Sequence, residues 1–367
     1  MGVNIHIHFT FVIILALFTW IFGFTNQETL GFVLGFGGLS VDWTIKLILG
    51  FVASIIFFAS VLIHELAHSY VAIRYGYKVS GITLFVFGGV SQIEKAPAEA
   101  PGEAWMALVG PGTSFIAGVL LILLWSVSRY LGSGLLIEGA VILFGLTGFY
   151  NVLLGAFNLI PAFPMDGGRI LRSTLAKRTG FVRATEIAAS VGRAFAIALA
   201  VFGFFFSIWL LFIALFIYLG AGEEEKGARM EHSLRGINVG KIMTENVSSI
   251  PPSMPIDALL SKMLDEKHLG YPVVDGNRVV GVVTLHDAVR VVPEQRGSVT
   301  VGDAMTGDMI SVTPETEATE AIRIMSTKRI GLLLVLSEGK LRGIVTQNDL
   351  MKVLEIMSSI SNVGARR

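Results

Sequence analysis

Apolar runs dominate the first 220 residues of the chain, and short polar or glycine-rich segments separate them. A helix needs ~20 apolar residues to cross a bilayer, and most of these runs are long enough. They cover residues 8–24, 45–73, 103–130, 134–160 and 186–219. As one helix the last run would be ~51 Å long, so we divide it into two spans that turn near Gly203. The pattern predicts a multi-pass α-helical membrane protein with about six transmembrane helices in residues 1–222.

The rest of the chain has the pattern of a soluble α/β module. A charged connector is expected at residues 223–237, and the following sequence repeats with a period of about 62 residues. The segment Gly281-Val-Val-Thr-Leu-His-Asp287 aligns with Gly343-Ile-Val-Thr-Gln-Asn-Asp349. Each repeat predicts helices around short apolar strands, and one repeat alone would expose an apolar sheet face. We therefore expect two repeats, 238–296 and 297–358, that pack together.

Composition narrows the classes of partner. The chain is 53% hydrophobic and 15% charged, and its formal net charge is zero. A neutral chain gives no argument for a nucleic-acid partner, and we expect none. The absence of cysteine excludes disulfides and thiolate metal sites. The lipid bilayer is the expected environment of the first part.

Three ionisable residues, His64, Glu65 and His68, lie near the end of the second apolar run. Such groups are costly inside a membrane helix, so they point to a function. Residues four apart share a helix face, so both imidazoles can bind one metal ion, and zinc suits them. Glu65 then lies beside the metal as a candidate base that takes a proton from water. The alternative is a chance His-Glu-x-x-His match on a polar helix face, but this run offers no solvent-exposed face.

A third ligand can be sought by elimination among the acidic residues of the membrane part. Asp166 lies in Asn158-Leu-Ile-Pro-Ala-Phe-Pro-Met-Asp-Gly-Gly168, whose prolines and glycines predict irregular backbone at the membrane edge. It is the best candidate, with Glu186 behind it; its alternative role is to cap the turn before Gly167. A second metal site at His6 and His8 is a weaker hypothesis than two histidines at the membrane interface.

Two further segments depart from the helical pattern. Residues 81–94 are β-branched and aromatic around Gly88-Gly89, which predicts a hairpin or an edge strand. Such an edge could hold an extended substrate by strand addition, or the hairpin could be a simple lid. In the third run, Gly110-Pro111-Gly112 is expected to kink or break the helix and to allow close backbone approach.

Lys and Arg concentrate in the segments 74–95 and 169–183, whereas segments 25–44 and 131–133 have none. By the positive-inside rule, segments 74–95 and 169–183 face the cytoplasm. With six spans, both termini and the repeat module are then cytoplasmic, and the protein is a multi-pass protein of the cell membrane.

The two membrane motifs, His64-Glu-Leu-Ala-His68 and Asn158-Leu-Ile-Pro-Ala-Phe-Pro-Met-Asp-Gly-Gly168, together resemble the site-2 protease family of intramembrane zinc metalloproteases. The resemblance covers residues 1 to about 220. It implies one zinc ion held by His64, His68 and Asp166, with Glu65 as the catalytic base. It also implies that Asn158 positions the substrate or stabilises the oxyanion.

The repeat module resembles a tandem pair of CBS domains. That resemblance implies adenine nucleotides (ATP, ADP or AMP) bound near Thr284 and Asp287 in one site and near Thr346 and Asp349 in the other. It also makes a homodimer through these domains a hypothesis. The residues alone allow a simpler interpretation, because Thr-x-x-Asp before a helix is a capping pattern. A helix N-terminus also suits a phosphate, so both roles can coexist.

Two classes of function follow. The first is an intramembrane zinc metalloprotease that cuts a membrane-spanning protein near its cytoplasmic end and is modulated by nucleotide. The second is a transporter or channel regulated by CBS domains, whose buried charges line an ion path. A transporter needs neither Glu65 as a base nor an open metal position.

Overall fold

The computed structural model describes residues 3–86, 88–93, 102–276, 278–328 and 330–364 of the chain, and side chains as far as residue 357. The chain divides into two compact units, Met1–Ala228 and Arg229–Arg367. This boundary lies inside the connector expected at residues 223–237. Each unit has its own hydrophobic core.

The first unit consists mainly of helices. They are α1 (Phe9–Phe24), α2 (Trp43–Arg74), α3 (Glu103–Ser128), α4 (Leu135–Asn158), α5 (Asp166–Thr179), α6 (Phe181–Phe206) and α7 (Ile208–Leu234). The last turns of α7 belong to the second unit. Among the helices of the described ranges, α2, α3, α4 and α6 are long and apolar enough to cross a membrane. The multi-pass helical class is thus confirmed. The expected count of about six also included α1, which has only 16 residues, and the apolar first half of α7.

The turn between the last two helices lies later than expected. Helix α6 continues through Gly203 to Phe206, and Ser207 alone is extended before α7 begins. A Cβ on Gly203 would lie 2.8 Å from the Cβ of Leu210, so the glycine lets the two helices approach instead of ending the first one. The two predicted helices are present, and the turn predicted near Gly203 lies at Ser207.

Helix α7 also contains most of the predicted connector. Residues 223–234 remain helical. Glu224 lies 3.5 Å from the guanidinium of Arg172, and Glu225 lies 2.5 Å from that of Arg193. These ion pairs hold the charged part of α7 against α5 and α6, which carry Arg172 and Arg193.

A small sheet lies beside the helices. Strand β1 (Asn4–Ile7) comes before α1, and β2 (Glu28–Thr29) and β3 (Phe32–Val33) form a short hairpin before α2. Strand β4 (Val79–Phe85) pairs in parallel with β1 and antiparallel with β5 (Gly88–Ile93). The sheet order is β1-β4-β5, so β5 is an edge strand. The predicted hairpin is present, although its last residue, Glu94, lies outside the described residues.

An aromatic cluster packs α1 against α2. Phe18 stacks on Phe57 with ring centroids 5.4 Å apart, and Phe11 meets Phe58 edge to face at 5.0 Å. Such aromatic pairs contribute about 0.5–1.5 kcal/mol beyond the area they bury. The cluster fixes the first half of α2, and with it the direction in which the second half presents His64.

The second unit contains two similar halves. The first has α8 (Ile256–Glu266), β6 (Gly270–Asp275), β7 (Arg278–Thr284) and α9 (Leu285–Arg290). The second has α10 (Val301–Ala304), β8 (Ser311–Val312), α11 (Ala318–Lys328), β9 (Leu332–Ser337), β10 (Lys340–Thr346) and α12 (Gln347–Gly364). Strands β6 and β7 are antiparallel, as are β9 and β10. The sequence repeat therefore corresponds to a repeat of structure.

Candidate metal centre

Three buried side chains from distant parts of the chain meet at the end of α2. His64 and His68 lie one turn apart on α2, and Asp166 is the first residue of α5. The Asp166 Oδ2 atom lies 3.2 Å from His64 Nε2 and 3.1 Å from His68 Nε2. Their three ligand atoms lie within 4.8 Å of one another. The two histidines and the aspartate predicted to bind a metal are therefore brought together.

The other nitrogen of each imidazole has its own partner. His64 Nδ1 lies 2.9 Å from Ser114 Oγ, and His68 Nδ1 lies 2.7 Å from the carbonyl oxygen of Met106. A carbonyl only accepts, so His68 donates from Nδ1, which leaves Nε2 as the nitrogen that can bind a metal. Both partners lie on α3. This helix therefore orients the rings whose Nε2 atoms face Asp166.

Gly110 lets α3 approach the imidazoles. A Cβ at this position would lie 2.1 Å from His68 Nε2 and 2.7 Å from His64 Nε2, so no other residue fits without displacing a ring. Helix α3 continues through Pro111, contrary to the break that the sequence allowed. The close backbone approach predicted for this segment is present.

The three ligand atoms of His64, His68 and Asp166 suit a zinc ion. Two imidazole nitrogens and one carboxylate oxygen form a common three-residue ligand set, which leaves one position of a tetrahedral ion for water. The place that a Cβ of Gly110 would fill stays open beside both Nε2 atoms. Partners for both Nδ1 atoms match the outer hydrogen bonds that ligating histidines usually have. The residues present therefore fit a zinc ion.

The segment before α5 brings Asp166 into place. Cβ atoms on Gly167 and Gly168 would lie 2.2 Å from the oxygen of Ile160 and 2.6 Å from the nitrogen of Phe163, so this turn is too tight for side chains. Met165 precedes the helix in extended conformation, and its carbonyl accepts from the amide of Gly168 at 3.0 Å. Packing therefore requires both glycines that follow Asp166.

Two turns further along α5, Arg172 anchors the helix. Its guanidinium lies between the rings of Phe163 and Phe181, 4.9 and 4.8 Å from their centroids. It also donates from Nε to Glu103 at 3.0 Å and lies near Glu224. Arg172 thus joins α3 and α7 to α5, the helix that begins at Asp166.

Glu65 follows His64 on α2 and contacts the hairpin strand β5. Ser91 Oγ donates to Glu65 Oε2 at 2.7 Å. A Cβ on Gly89 would lie 2.5 Å from the Glu65 Cγ. The carboxylate is therefore held between α2 and the edge strand, one residue from a ligand.

The remaining candidate residues have contacts of their own, and Asn158 stays a prediction as a substrate-positioning residue. Asn158 is the last residue of α4, and its amide donates to the Leu154 carbonyl of its own helix at 3.0 Å. Glu186 pairs with Arg183 instead of reaching the centre. His8 caps α1 and lies 2.8 Å from Thr10 Oγ1. Among the described residues, the one metal-competent group of three contains neither His6 nor His8.

In the second unit, the four residues suggested for nucleotide binding form two capping boxes. Thr284 donates from its nitrogen and its hydroxyl to Asp287 Oδ2, at 2.9 and 2.7 Å. Thr346 donates in the same way to Asp349 Oδ2, at 3.0 and 2.7 Å. Capping, the simpler interpretation of the Thr-x-x-Asp pattern, is therefore present at both helices.

Four residues with supporting contacts were not singled out from the sequence: Met106, Ser114, Ser91 and Arg172. Ser114 follows Gly110 by one helical turn, so its place on the same face of α3 was a usable signal. Ser91 and Arg172 give no such signal, because only the tertiary fold brings their elements to α2 and α3. Met106 acts through its carbonyl, which any residue would supply.

Comparison with known proteins agrees with this geometry. The model of peptidase family M50 matches residues 52–130 and 126–199, and the CBS domain model matches residues 239–294 and 301–356. A zinc metalloprotease of Methanocaldococcus jannaschii is 36% identical over 97% of this chain and 95% of its own. The Mycobacterium tuberculosis protein Rip3, which also carries a zinc metalloprotease name, is 32% identical over 97% of this chain and 91% of its own.

Among solved structures, the site-2 protease from M. jannaschii is 38% identical, with a TM-score of 0.44, and the match covers 61% of this chain and 92% of that one. The near full-length relatives at over 30% identity decide the assignment. The chain belongs to peptidase family M50, the site-2 proteases, and is a membrane zinc metalloprotease that carries a tandem pair of CBS domains.

Proposed function

We propose that this metalloprotease hydrolyses peptide bonds of membrane-spanning proteins near the cytoplasmic side, with His64, His68 and Asp166 as zinc ligands. The observation that carries the proposal is the convergence of these three buried side chains beside Glu65, at the end of a helix long enough to span a membrane. A bound zinc ion would polarise the substrate carbonyl and acidify the attacking water.

Glu65 takes the proton from the attacking water and delivers it to the leaving amine. Its position directly after His64 suits this role, because a general base must lie within hydrogen-bond reach of the water it activates. The edge strand β5 passes the same carboxylate, and its outer edge can pair with an extended substrate segment. The substrate helix must unwind locally to expose its amide.

The decisive experiment changes Glu65 to Gln. The probe is a single-span reporter with an epitope tag at each end and an Asn-Gly pair near the cytoplasmic end of its helix, where the pair weakens helical structure. Full-length protein in liposomes should cleave the reporter, and Glu65→Gln should abolish cleavage while retaining one zinc per chain. Cleavage by the Gln variant, or none by the parent protein, would contradict the proposal.

The orientation of the protein in the membrane follows from the distribution of Lys and Arg. We place the segment around Thr174 in the cytoplasm and the turn around Ser133 outside, because Lys and Arg concentrate in residues 169–183. Both termini and the CBS pair are then cytoplasmic. The chain has no cysteine, so each introduced cysteine is a unique label. In intact cells, Ser133→Cys should react with an impermeant maleimide and Thr174→Cys only after lysis; the reverse result would overturn this topology.

Nucleotide modulation is proposed for the CBS pair. The two capping boxes lie at corresponding strand-to-helix junctions, and their hydrogen bonds use Oδ2 of Asp287 and of Asp349. The second carboxylate oxygen of each can accept from a ribose hydroxyl, while the helix N-terminus suits a phosphate. Calorimetry of the full-length protein with ATP, ADP and AMP tests this directly. No heat with any of them would leave the pair as a dimerisation or docking module.

A further inference from the structure

Ser91, on the edge strand β5, donates a 2.7 Å hydrogen bond to Glu65 Oε2. We propose that Ser91 is a positioning residue for the reaction, which holds the Glu65 carboxylate in the orientation that receives the proton of the attacking water. The inference rests on the proposed function, because it assigns a purpose to the residue that supports the base.

The hydrogen bonds have a defined direction. Ser69, fully buried and one turn after Glu65 on α2, donates to Ser91 Oγ at 3.2 Å. Ser91 has one proton, and its contact with Glu65 Oε2 is shorter than its 3.2 Å contact with the Glu65 carbonyl. The chain of donors therefore runs from Ser69 through Ser91 to the carboxylate. Because Ser69 occupies an acceptor site of Ser91, it turns the Ser91 proton towards Glu65.

Strand β5 also restricts the Glu65 side chain by packing against it. Gly89 lies so close that a Cβ there would be 2.5 Å from Glu65 Cγ. Strand β4 holds this part of β5 through the pairs Leu84 with Gly89 and Ile82 with Ser91. The side chain of Glu65 therefore has a backbone wall on one side and a hydroxyl donor at its end.

The arrangement leaves one carboxylate oxygen for chemistry. Among the described residues, Glu65 Oε1 accepts no hydrogen bond, whereas Oε2 is bound to Ser91. A carboxylate fixed through one oxygen presents the other in a constant direction, and a base must be positioned in this way before its proton transfer is efficient.

Ser91→Ala tests the proposal with the single-span reporter described above. We expect kcat to fall by about 10–100-fold, the range for loss of a hydrogen bond to a charged group, with KM within about twofold of the parent value. Zinc should remain at one per chain, because Ser91 contacts no ligand. Ser91→Thr keeps the hydroxyl and should restore kcat to within about threefold.

The matched control is Ser80→Ala. Ser80 lies on the same hairpin, and its hydroxyl donates to the carbonyl of Gln92 at 3.0 Å, away from Glu65. This variant should retain parent kcat and KM. Equal kcat for Ser91→Ala and the parent, or equal losses in Ser91→Ala and Ser80→Ala, would overturn the positioning role while leaving the protease assignment intact. Absence of cleavage by the parent protein would instead count against the proposed function.

A second measurement requires neither zinc nor activity. In this cysteine-free chain, the double variant Ser69→Cys with Ser91→Cys should form a disulfide on mild oxidation, with or without chelator, because the two hydroxyl oxygens lie 3.2 Å apart. Ser69→Cys with Ser80→Cys should not. If the first pair fails to cross-link, the hairpin does not hold Ser91 against α2 and the proposal is wrong.

Discussion

Gly110 faces the His68 imidazole so closely that a Cβ at this position would lie 2.1 Å from Nε2. Backbone of α3 therefore forms one wall of the metal centre. Helix α3 can orient both histidines only because this position has no side chain.

Gly110→Ala should abolish zinc binding although alanine is the better helix former by about 1 kcal/mol. The added methyl group would displace His68 and His64 from Asp166. Metal analysis of the purified protein should show at least a tenfold loss of zinc. Gly112→Ala is the control, because a Cβ there meets no atom within 4 Å, and it should retain zinc and activity. Normal zinc content in Gly110→Ala would contradict the described geometry.

Ser114→Ala should weaken zinc binding by about 10–100-fold, the usual effect of removing a partner of a ligating histidine. The cause is the loss of the 2.9 Å contact with His64 Nδ1, which fixes the ring. Competition with a zinc-selective chelator measures the affinity. Thr113→Ala is the neighbouring control, since its hydroxyl donates to the carbonyl of Gly110 within the same helix. Equal zinc affinities in the two variants would rule out an orienting role for Ser114.

Arg172→Gln should lower the free energy of unfolding by about 3–5 kcal/mol, because it leaves Glu103 without its buried partner. Thermal denaturation in detergent, followed by circular dichroism, checks this. Arg183→Gln is the control: Arg183 is 69% exposed at its side chain and pairs with Glu186 at the surface, where an ion pair contributes 1 kcal/mol or less. Similar losses of unfolding free energy in both variants would show that Arg172 stabilises the protein no more than a surface ion pair does.

Asp287→Ala and Asp349→Ala should each lower nucleotide affinity at least tenfold, whereas Asp303→Ala should leave it unchanged. Asp303 forms the same capping box with Thr300, whose hydroxyl and amide hydrogen bonds lower the pKa of the Asp303 carboxyl. All three variants lose the carboxylate half of a capping box. Calorimetry separates the two effects, and equal affinities across the three would assign Asp287 and Asp349 to capping alone.

The three residues of the metal-competent group could be predicted from the sequence because they lie in two short motifs. Two histidines four residues apart in an apolar run leave few interpretations, and Asp166 follows by elimination among a small number of carboxylates. The face of Ser114 could be inferred from its spacing from Gly110, but its contact with His64 could not, and Ser91 gave no signal, since both contacts join elements far apart in the chain.

Helix ends were harder to predict than helix faces. Gly203 looked like a turn, but close packing against Leu210 makes a glycine useful inside α6. Pro111 looked like a break, yet α3 continues through it. The connector expected after Gly220 is largely helical, and ion pairs with Arg172 and Arg193 join its start to α5 and α6. In each case tertiary contacts override the local preference of the residue.

Because α5 begins at Asp166, the same residue starts a helix and supplies an oxygen to the metal-competent group. Replacing Asp166 would therefore remove two contributions at once: one ligand of the group, and one negative charge from the first turn of a helix, where the helix dipole favours it.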